Sequence, residues 1–586
     1  MIIELVGLPG AGKTTFAKQL CEDKKHTLVR INGRSELLYY NLLFLFAHPY
    51  SWCAQLVWLF RHKGKPSLWY TKFTNLFLVH NAKYMKARQF RRAIIDQGHH
   101  QNILSLFDEV VDEKIINAYL CILPKPDLLC FLLVDDETRA TRLHSRGYDT
   151  RDEEDESYRR AWEKAYTTHF EHLYIARNTL SCLVETITPK DGTEKCSKIA
   201  NAYPWYFVMH ARMPTEKAHG LQIAKTLEAL TESGQYVALW VPRRTQKLSD
   251  DITAYYGLNT TFPVRRFGVP NFLRLSGILG PLAFWFDAFA FILALLFTRC
   301  DKEGIYYTRN VEIAWLFKKR GCRVFYEAHI WPSSKRSLFT YLLRNVDGII
   351  CNSDGTAKAY RQSGLKNIHV VRNGVDLDAF LIETPTHEAR ALLGLPHEKK
   401  IVMYVGAFYA WKGVPFLLET WQKYFSDNED MILVLVGGGE EELKHHGGHE
   451  AYATCTNIML VAHEAASRIP LYLRAADVLV LPNQPLTEES SRFTSPIKLF
   501  EYMASGRPII ASDLPSIREI LGDENGLLAA PKEHGALASG ISSLLAHKKE
   551  AVQYTSRARS MVMSYSWSAR ADRISSVVSN VLSSYL

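Results

Sequence analysis

Gly7, Gly10, Gly12, Lys13 and Thr14 fall in the spacing G-x-x-x-x-G-K-[ST], with Thr15 directly after them. Those residue types suit the binding of a nucleoside triphosphate. Glycines let successive backbone N–H groups curl around phosphate oxygens, the lysine reaches the β- and γ-phosphates, and the Thr14 hydroxyl ligates Mg²⁺. Further on, the apolar run Ala93-Ile94-Ile95 ends in Asp96, a carboxylate placed to hold the same Mg²⁺ or to accept a proton from an attacking hydroxyl. The loop must be held between a strand and a helix N-terminus. Ile2 to Val6 reads as that strand and Thr15 to Cys21 as that helix.

The segment around these residues alternates strand-like runs (Ile2 to Val6, Ala93 to Asp96, Leu128 to Val134) with helical patterns, which predicts a parallel sheet covered by helices. Pro126-Asp127-Leu128 opens the last of those runs, and Arg142 and Arg146 follow it in an R-x-x-x-R pair. With the phosphate loop, this arrangement resembles the nucleoside monophosphate kinases and related small-molecule P-loop kinases over residues 1–190. The resemblance implies ATP and Mg²⁺ as cofactors and gives Arg142 and Arg146 the role of lid arginines, with Arg151 a weaker third. It departs from nucleotide kinases at the acceptor. Leu37 to Lys86 is long, aromatic and Leu-rich and lacks the expected Asp-Arg pair, so it serves either a sugar-like or amphiphilic alcohol or only as a helical lid.

From Tyr206 a second pattern begins, with a strand, a Pro-bearing loop and Gly220 before a helical stretch. It continues through Tyr306-Tyr307-Thr308-Arg309-Asn310, Tyr326-Glu327-Ala328-His329 and Arg372-Asn373-Gly374-Val375-Asp376. Then come Gly406 to Gly413, which contains Lys412, and the run from Thr494 to Asp513, which contains Ser495, Pro496, Lys498 and Glu501. The series resembles the family 4 glycosyltransferases of GT-B type across residues 205–586. The resemblance implies metal-independent, retaining transfer from a nucleotide-diphosphate sugar. Gly220, Gly406, Ser495 and Pro496 would lie against the donor, Lys412 and Lys498 on its phosphates, Glu501 on its ribose hydroxyls and His329 beside the transferred sugar. Packing roles for Gly220 and His329 are the alternatives. Two departures stand out: Ala407 replaces a frequent arginine, and Phe493 replaces the first glutamate of an E-x7-E pair.

Length and composition agree with several α/β lobes, because 586 residues exceed what one core organises and a hydrophobic fraction of 47% excludes a largely disordered chain. The expected fold is a P-loop kinase lobe over 1–190, a linker over 191–204, and two GT-B lobes over 205–385 and 386–565, with a C-terminal helix (566–586) crossing back to the first. A net charge of +9 is too mild for a nucleic-acid binder and suits phosphorylated partners or an anionic membrane surface. Ten scattered cysteines without a C-x-x-C pair read as reduced thiols. The expected location is therefore cytoplasmic, peripheral to the inner face of the plasma membrane. Leu37 to Phe60 is broken by His48 and Pro49, while Ile278 to Phe297 contains Pro281 and Asp287 and reads as a buried helix in preference to one dipping into the membrane surface. The whole is expected to be a bifunctional enzyme, transferring phosphoryl groups to a small molecule and sugar to a sugar or lipid-linked acceptor in surface polysaccharide or glycolipid assembly. The alternatives are a P-loop lobe that only binds nucleotide, as a regulatory or assembly module, and a structural fusion.

Overall fold

The computed structural model describes residues 1–22, 26–62, 64–145, 155–180, 182–188, 203–244, 251–493, 495 and 497–584. Arg146, Arg151, Pro496 and most of the 191–204 linker lie outside the described residues. The chain packs into two compact units, one of Met1–Met213, Gly234–Tyr306 and Lys319–Arg323 and the other of Pro214–Ser233, Tyr307–Lys318 and Val324–Leu586. Residues 203–213 and 234–306 thus group with the N-terminal sheet, which differs from a domain boundary at 190–205. The physical reason is shared burial: Tyr236 packs in the core with Ile3 and Leu5, and its hydroxyl donates to Glu185 Oε2 at 2.7 Å.

The N-terminal sheet contains β1 (Ile2–Gly7), β2 (Thr27–Leu28), β3 (Ala93–Ile95), β4 (Leu128–Leu132) and β5 (Leu183–Ile187), all parallel, in the order β2-β3-β1-β4-β5. β1 and β4 are buried along their whole length, which is why both are apolar runs without alternation. Glu4 is the exception in β1. Its buried carboxylate accepts from the His100 backbone N–H at 2.6 Å, and its other oxygen lies 3.1 Å from His100 Nδ1. Central β1 delivers the glycine loop at its C-terminal end, and neighbouring β3 delivers Asp96 to the same edge of the sheet, where α/β folds place their ligands.

A second, seven-stranded sheet has the order β12-β11-β10-β9-β6-β7-β8. Its strands are β6 (Trp205–Val208), β7 (Val237–Pro242), β8 (Val264–Phe267), β9 (Ile305–Thr308), β10 (Arg323–Ala328), β11 (Gly348–Cys351) and β12 (Ile368–Val370). The third sheet, β15-β14-β13-β16-β17-β18, is formed by β13 (Lys400–Val405), β14 (Met431–Val436), β15 (Ile458–Val461), β16 (Val478–Leu481), β17 (Ile509–Ser512) and β18 (Leu527–Ala529). Its pairs are parallel and its two faces carry separate apolar clusters.

Two apolar segments of the first unit keep much of their surface outward. The helices Arg34–Ala47 and Pro49–Arg61 meet at a bend of 113°, where His48 leaves helical geometry and Pro49 starts the new helix. They expose Leu38, Tyr39, Phe46, Tyr50 and Phe60. No single helix among the described residues is long and apolar enough to cross a membrane. The helix Leu282–Leu296 corrects the expectation of a buried helix: only Ala283, Asp287, Phe291 and Leu295 are buried, while Phe284, Trp285, Phe289 and Leu293 face outward. Asp287 explains which side turns in. Its carboxylate, wholly buried, accepts from His210 Nε2 at 2.8 Å, from Arg244 Nη2 and from the Phe272 backbone N–H at 3.1 Å.

Asp287→Ala leaves the buried Arg244 and His210 without their acceptor, so a loss of about 3–5 kcal/mol of stability is expected in chemical denaturation. A loss below about 1 kcal/mol would show that water replaces the carboxylate and that this cluster does not fix the helix.

Candidate functional site

The helix Lys13–Cys21 starts inside the glycine loop, and Gly10 and Gly12 adopt φ of 84° and 89°, a left-handed geometry that side chains with a Cβ resist. Lys13 is buried and its Nζ donates to Gly7 O at 2.7 Å and Leu8 O at 3.1 Å, so the ammonium is held over the loop by main-chain oxygens. Gln101 pins the loop's first residue, accepting from Gly7 N at 3.2 Å and donating to Gly7 O at 3.1 Å. The helix Asp136–His144 lies across this loop. Arg142 Nη1 donates to Gly10 O at 3.5 Å, and a Cβ on Gly10 would sit 3.0 Å from Arg139. Arg139, one turn before Arg142, packs its stem against Gly10 while its guanidinium pairs with Asp136 at 3.0 Å and donates to the Tyr166 hydroxyl at 3.0 Å, so its charge is engaged elsewhere.

Thr14 and Thr15 are exposed in the first helical turn, and Asp96 is ion-paired with Lys83 Nζ at 2.9 Å. A hydroxyl and one carboxylate form a donor set that fits Mg²⁺, which takes its remaining ligands from nucleotide oxygens and water. Among the described residues no cluster of three acidic, His or Cys side chains forms a metal cage.

The second site is built in the other unit, around Gly406 at the end of β13. Gly406 has φ 143°, and a Cβ there would lie 1.2 Å from Lys498 Nζ. The glycine therefore makes room for the lysine, which stands over the Tyr404 ring with Nζ 4.9 Å from its centroid and 3.4 Å from the hydroxyl. Lys498 and Glu501 project from the helix Ile497–Ser505, anchored by Tyr502, whose hydroxyl accepts from Val405 N at 2.9 Å. Burial, and then the charge of Lys412, hold the Lys498 ammonium well below the usual lysine range, with Glu501 opposing. Burial alone lowers Lys412. Burial also pushes the Glu501 carboxyl up to about 7, with Lys498 opposing. Both ammonium groups are held at a cost in hydration, and neither is ion-paired to a carboxylate among the described residues, an arrangement that suits an anion.

A second group of residues in this unit comes from β9, β10 and the chain's last helix. Glu327 is buried and is held by Arg309 Nε at 3.0 Å and by Arg570 Nη2. Burial would raise its carboxyl, but Arg309 and then Arg570 outweigh that and keep it well below the ordinary range. His329 Nε2 lies 3.1 Å from Glu327 Oε1, outside hydrogen-bonding direction, and burial followed by the Arg309 charge lowers the imidazole to about 4. His329 is therefore neutral at neutral pH and can hydrogen-bond a hydroxyl without adding charge. Asn373 bridges the elements, accepting from Gln222 Nε2 and donating to Ser495 O at 2.9 Å. Gln222 and Gly220 lie in the first turns of the helix Ala218–Glu232, so Gly220 is a buried helical residue there and not a loop residue. Ser495 Oγ is buried and makes no hydrogen bond among the described residues.

Beside this site, a cavity of about 1050 Å³ is lined by Trp331, Tyr341, Arg344, Lys358 and Arg492 and bounded by Phe493. Arg336 pairs with Glu488 at 3.2 Å, whereas Lys358, Arg344 and Arg492 have no carboxylate partner among the described residues. Sequence reasoning missed this basic wall because its residues come from three separated segments and match no motif. The Phe493 carbonyl takes Asn352 Nδ2 at 3.5 Å and Thr356 Oγ1 at 3.4 Å, so its main chain is tied down where a family glutamate would stand.

Two strand-helix sheets of Rossmann type are the elements of a GT-B architecture, and solved structures share it. Sucrose-phosphate synthase from Thermosynechococcus elongatus superposes with a TM-score of 0.53 at 20% identity, over 65% of this chain and 100% of that one. HepE from Anabaena, solved with UDP-glucose, gives 0.50 at 17% identity, over 64% and 99%. The models described as Glycosyltransferase Family 4 and Glycosyl transferases group 1 match residues 221–379 and 399–547. The C-terminal region is therefore a family 4 glycosyltransferase domain of GT-B fold. Among curated relatives, the phosphatidyl-myo-inositol mannosyltransferase of Mycobacterium leprae is 30% identical over 257 residues, which is 42% of this chain and 64% of that protein's own length.

The titration of Glu501 yields a test. If its carboxylate receives the donor's ribose hydroxyls, donor affinity falls as pH drops below about 7, by about tenfold per unit once the carboxyl is protonated. Glu501→Gln flattens that dependence. Isothermal titration with UDP between pH 5.5 and 8.5 measures it, and an unchanged pH profile in the variant would place the nucleotide elsewhere.

Proposed function

We propose that the C-terminal region transfers a sugar from a nucleotide-diphosphate sugar to a phosphate-bearing acceptor, without a metal and with retention of configuration. The observation that carries this is the desolvated lysines Lys412 and Lys498, neither ion-paired to a carboxylate among the described residues, with Lys498 over the glycine at the end of β13. Such a pair stabilises the diphosphate as it departs, aided by amides at the start of the Ile497–Ser505 helix. Gly406 lets the lysine approach, Ser495 Oγ and Glu501 offer hydrogen bonds, and neutral His329 meets the sugar's hydroxyls. HepE's UDP-glucose supports a uridine donor. The basic wall of Arg344, Lys358 and Arg492 supports an acceptor phosphate, in agreement with the phosphatidylinositol named for the mycobacterial relative. Pro496 keeps its proposed place in the donor loop.

The N-terminal residues support phosphoryl transfer from ATP to a small-molecule hydroxyl. Lys13 and Arg142 would neutralise the transferring group, while Thr14 and Asp96 would hold Mg²⁺ with the nucleotide. Gly7, Gly10, Gly12 and Thr15 would line the phosphates, and Arg146 would close the lid. The Lys83–Asp96 ion pair favours a second reading, nucleotide binding without turnover, because it occupies the carboxylate. The outward apolar faces of Leu38, Phe46, Phe284 and Trp285, with Arg34 in the first of these helices and Arg61 and Arg274 in the segments next to them in sequence, support peripheral attachment to an anionic bilayer from the cytoplasmic side.

With UDP-sugars and phosphatidylinositol as substrates, Lys498→Ala should lower kcat by about 10²–10³, as for loss of one charge stabiliser. Lys358→Glu should raise the acceptor KM several-fold while leaving UDP affinity unchanged. Equal turnover with a phosphate-free acceptor would remove the acceptor claim, and no glycosyl transfer to any acceptor would remove the activity. Lys13→Ala should abolish phosphoryl transfer from ATP to a panel of sugars and alcohols while glycosyl transfer persists. Tight ATP binding with no transfer by the wild type would establish the second reading.

A further inference from the structure

The first unit contains a cavity of about 260 Å³ that belongs to neither site. Arg88, Lys125, Arg265 and Arg299 contribute cations to its wall, and Asp127 and Asp301 contribute carboxylates. The side chains thus leave an excess of two positive charges. Arg265 is the most telling. It is accessible and stacks on Trp240 and Phe267, with its guanidinium carbon 5.0 and 4.6 Å from the ring centroids, yet it has no hydrogen-bond acceptor among the described residues. Arg88 spends one nitrogen on His48, at 3.4 Å, and Arg299 one on Phe90 O, at 3.1 Å, leaving further N–H groups of each fork. The Tyr84 hydroxyl donates to Lys125 O at 3.2 Å, and Tyr84 and all three arginines line the cavity.

The acids are arranged differently. Asp127 Oδ2 accepts from Ile2 N at 2.7 Å, and one Asp301 oxygen accepts from Glu303 N at 3.0 Å. Asp301 Oδ2 is ion-paired with the Met1 ammonium at 3.7 Å and makes no hydrogen bond among the described residues. A buried carboxylate oxygen that makes no hydrogen bond among the described residues, in a cavity whose arginine forks still have N–H groups to give, suits a ligand with hydroxyl donors at one end and an anion at the other. Tyr84, Tyr206, Trp240 and Tyr306 supply aromatic surface between them.

We infer that this cavity binds a small phosphorylated polyol, of the sugar-phosphate class, with the phosphate on Arg265 and Arg299 and the hydroxyls on Asp301. The aspartates disfavour inorganic phosphate, and the arginines distinguish the ligand from a neutral sugar. The site lies apart from the glycine loop and from the Lys412–Lys498 pair in its residues, so its ligand is a regulator or an additional substrate.

Calorimetric titration of the full chain with glucose 6-phosphate, inorganic phosphate and glucose tests this. Saturable binding of glucose 6-phosphate is expected, weakened about tenfold or more in R265A and in R299A and retained in R265K, K13A and K498A. Circular dichroism confirms that each variant is folded. Binding unaffected by R265A and R299A, or absent in the wild type, overturns the proposal, and so does inorganic phosphate binding equally well. A parallel arm floats the protein with phosphatidic acid or phosphatidylcholine vesicles. Capture by phosphatidic acid that R265A abolishes, without glucose 6-phosphate binding, would assign the cavity to a lipid headgroup and overturn the soluble ligand.

Discussion

The ion cluster of Glu327 with Arg309 and Arg570 is the constraint on which the glycosyltransferase cleft depends. Glu327 and Arg570 are each only 2% exposed, and a charge so placed is tolerable only when its partners and hydrogen bonds are complete. Arg570 completes them. It serves Glu327 through one nitrogen and donates through another to Val371 O and Arg372 O at 3.1 and 3.0 Å. The helix Trp567–Ser583 is thereby tied to the end of β10 and to the segment that leads into the third sheet. Gly374 allows this helix to approach, since a Cβ there would lie 2.7 Å from the Trp567 ring. Two residues beyond Glu327 stands His329, whose low proton affinity follows first from burial and then from the Arg309 charge.

Around Gly406 the logic is reversed. Neither Lys412 nor Lys498 is ion-paired to a carboxylate among the described residues, and Glu501 is desolvated to the point where its proton is held near neutrality. Paired charges build the scaffold and unpaired ones build the receptor. The distinction separates structural ions from functional ions better than burial does, because both groups are crowded by protein. The N-terminal loop follows a milder version of the rule, with Lys13 parked on main-chain oxygens that a phosphate can replace.

Much of this was legible in the residues. The glycine loop, the strand that carries it and the lysine at its end follow from one motif in its required context. The GT-B region followed from recurring strand-end motifs, and the structure added why Gly406 must be glycine. Other features were not legible. Arg139 shares a helix with Arg142, but only packing shows that it reaches Gly10. The basic wall of Arg344, Lys358 and Arg492 is assembled from separated segments. Composition also misjudged Ile278 to Phe297: a run so uniformly apolar does not encode which side turns inward, and Asp287 chose by requiring Arg244 and His210.

By itself, the sequence determined the local chemistry of this protein: which loops can cradle phosphate, which strands alternate with helices, and which glycines precede cations. These depend on neighbours a few residues apart, whose geometry the backbone fixes. Only the tertiary structure decided which charges are neutralised and which stay available, because pairing joins residues such as Glu327 and Arg570 across 243 positions of chain. Desolvation is a property of the assembled surroundings, and so the difference between a structural arginine and a waiting one exists only after folding.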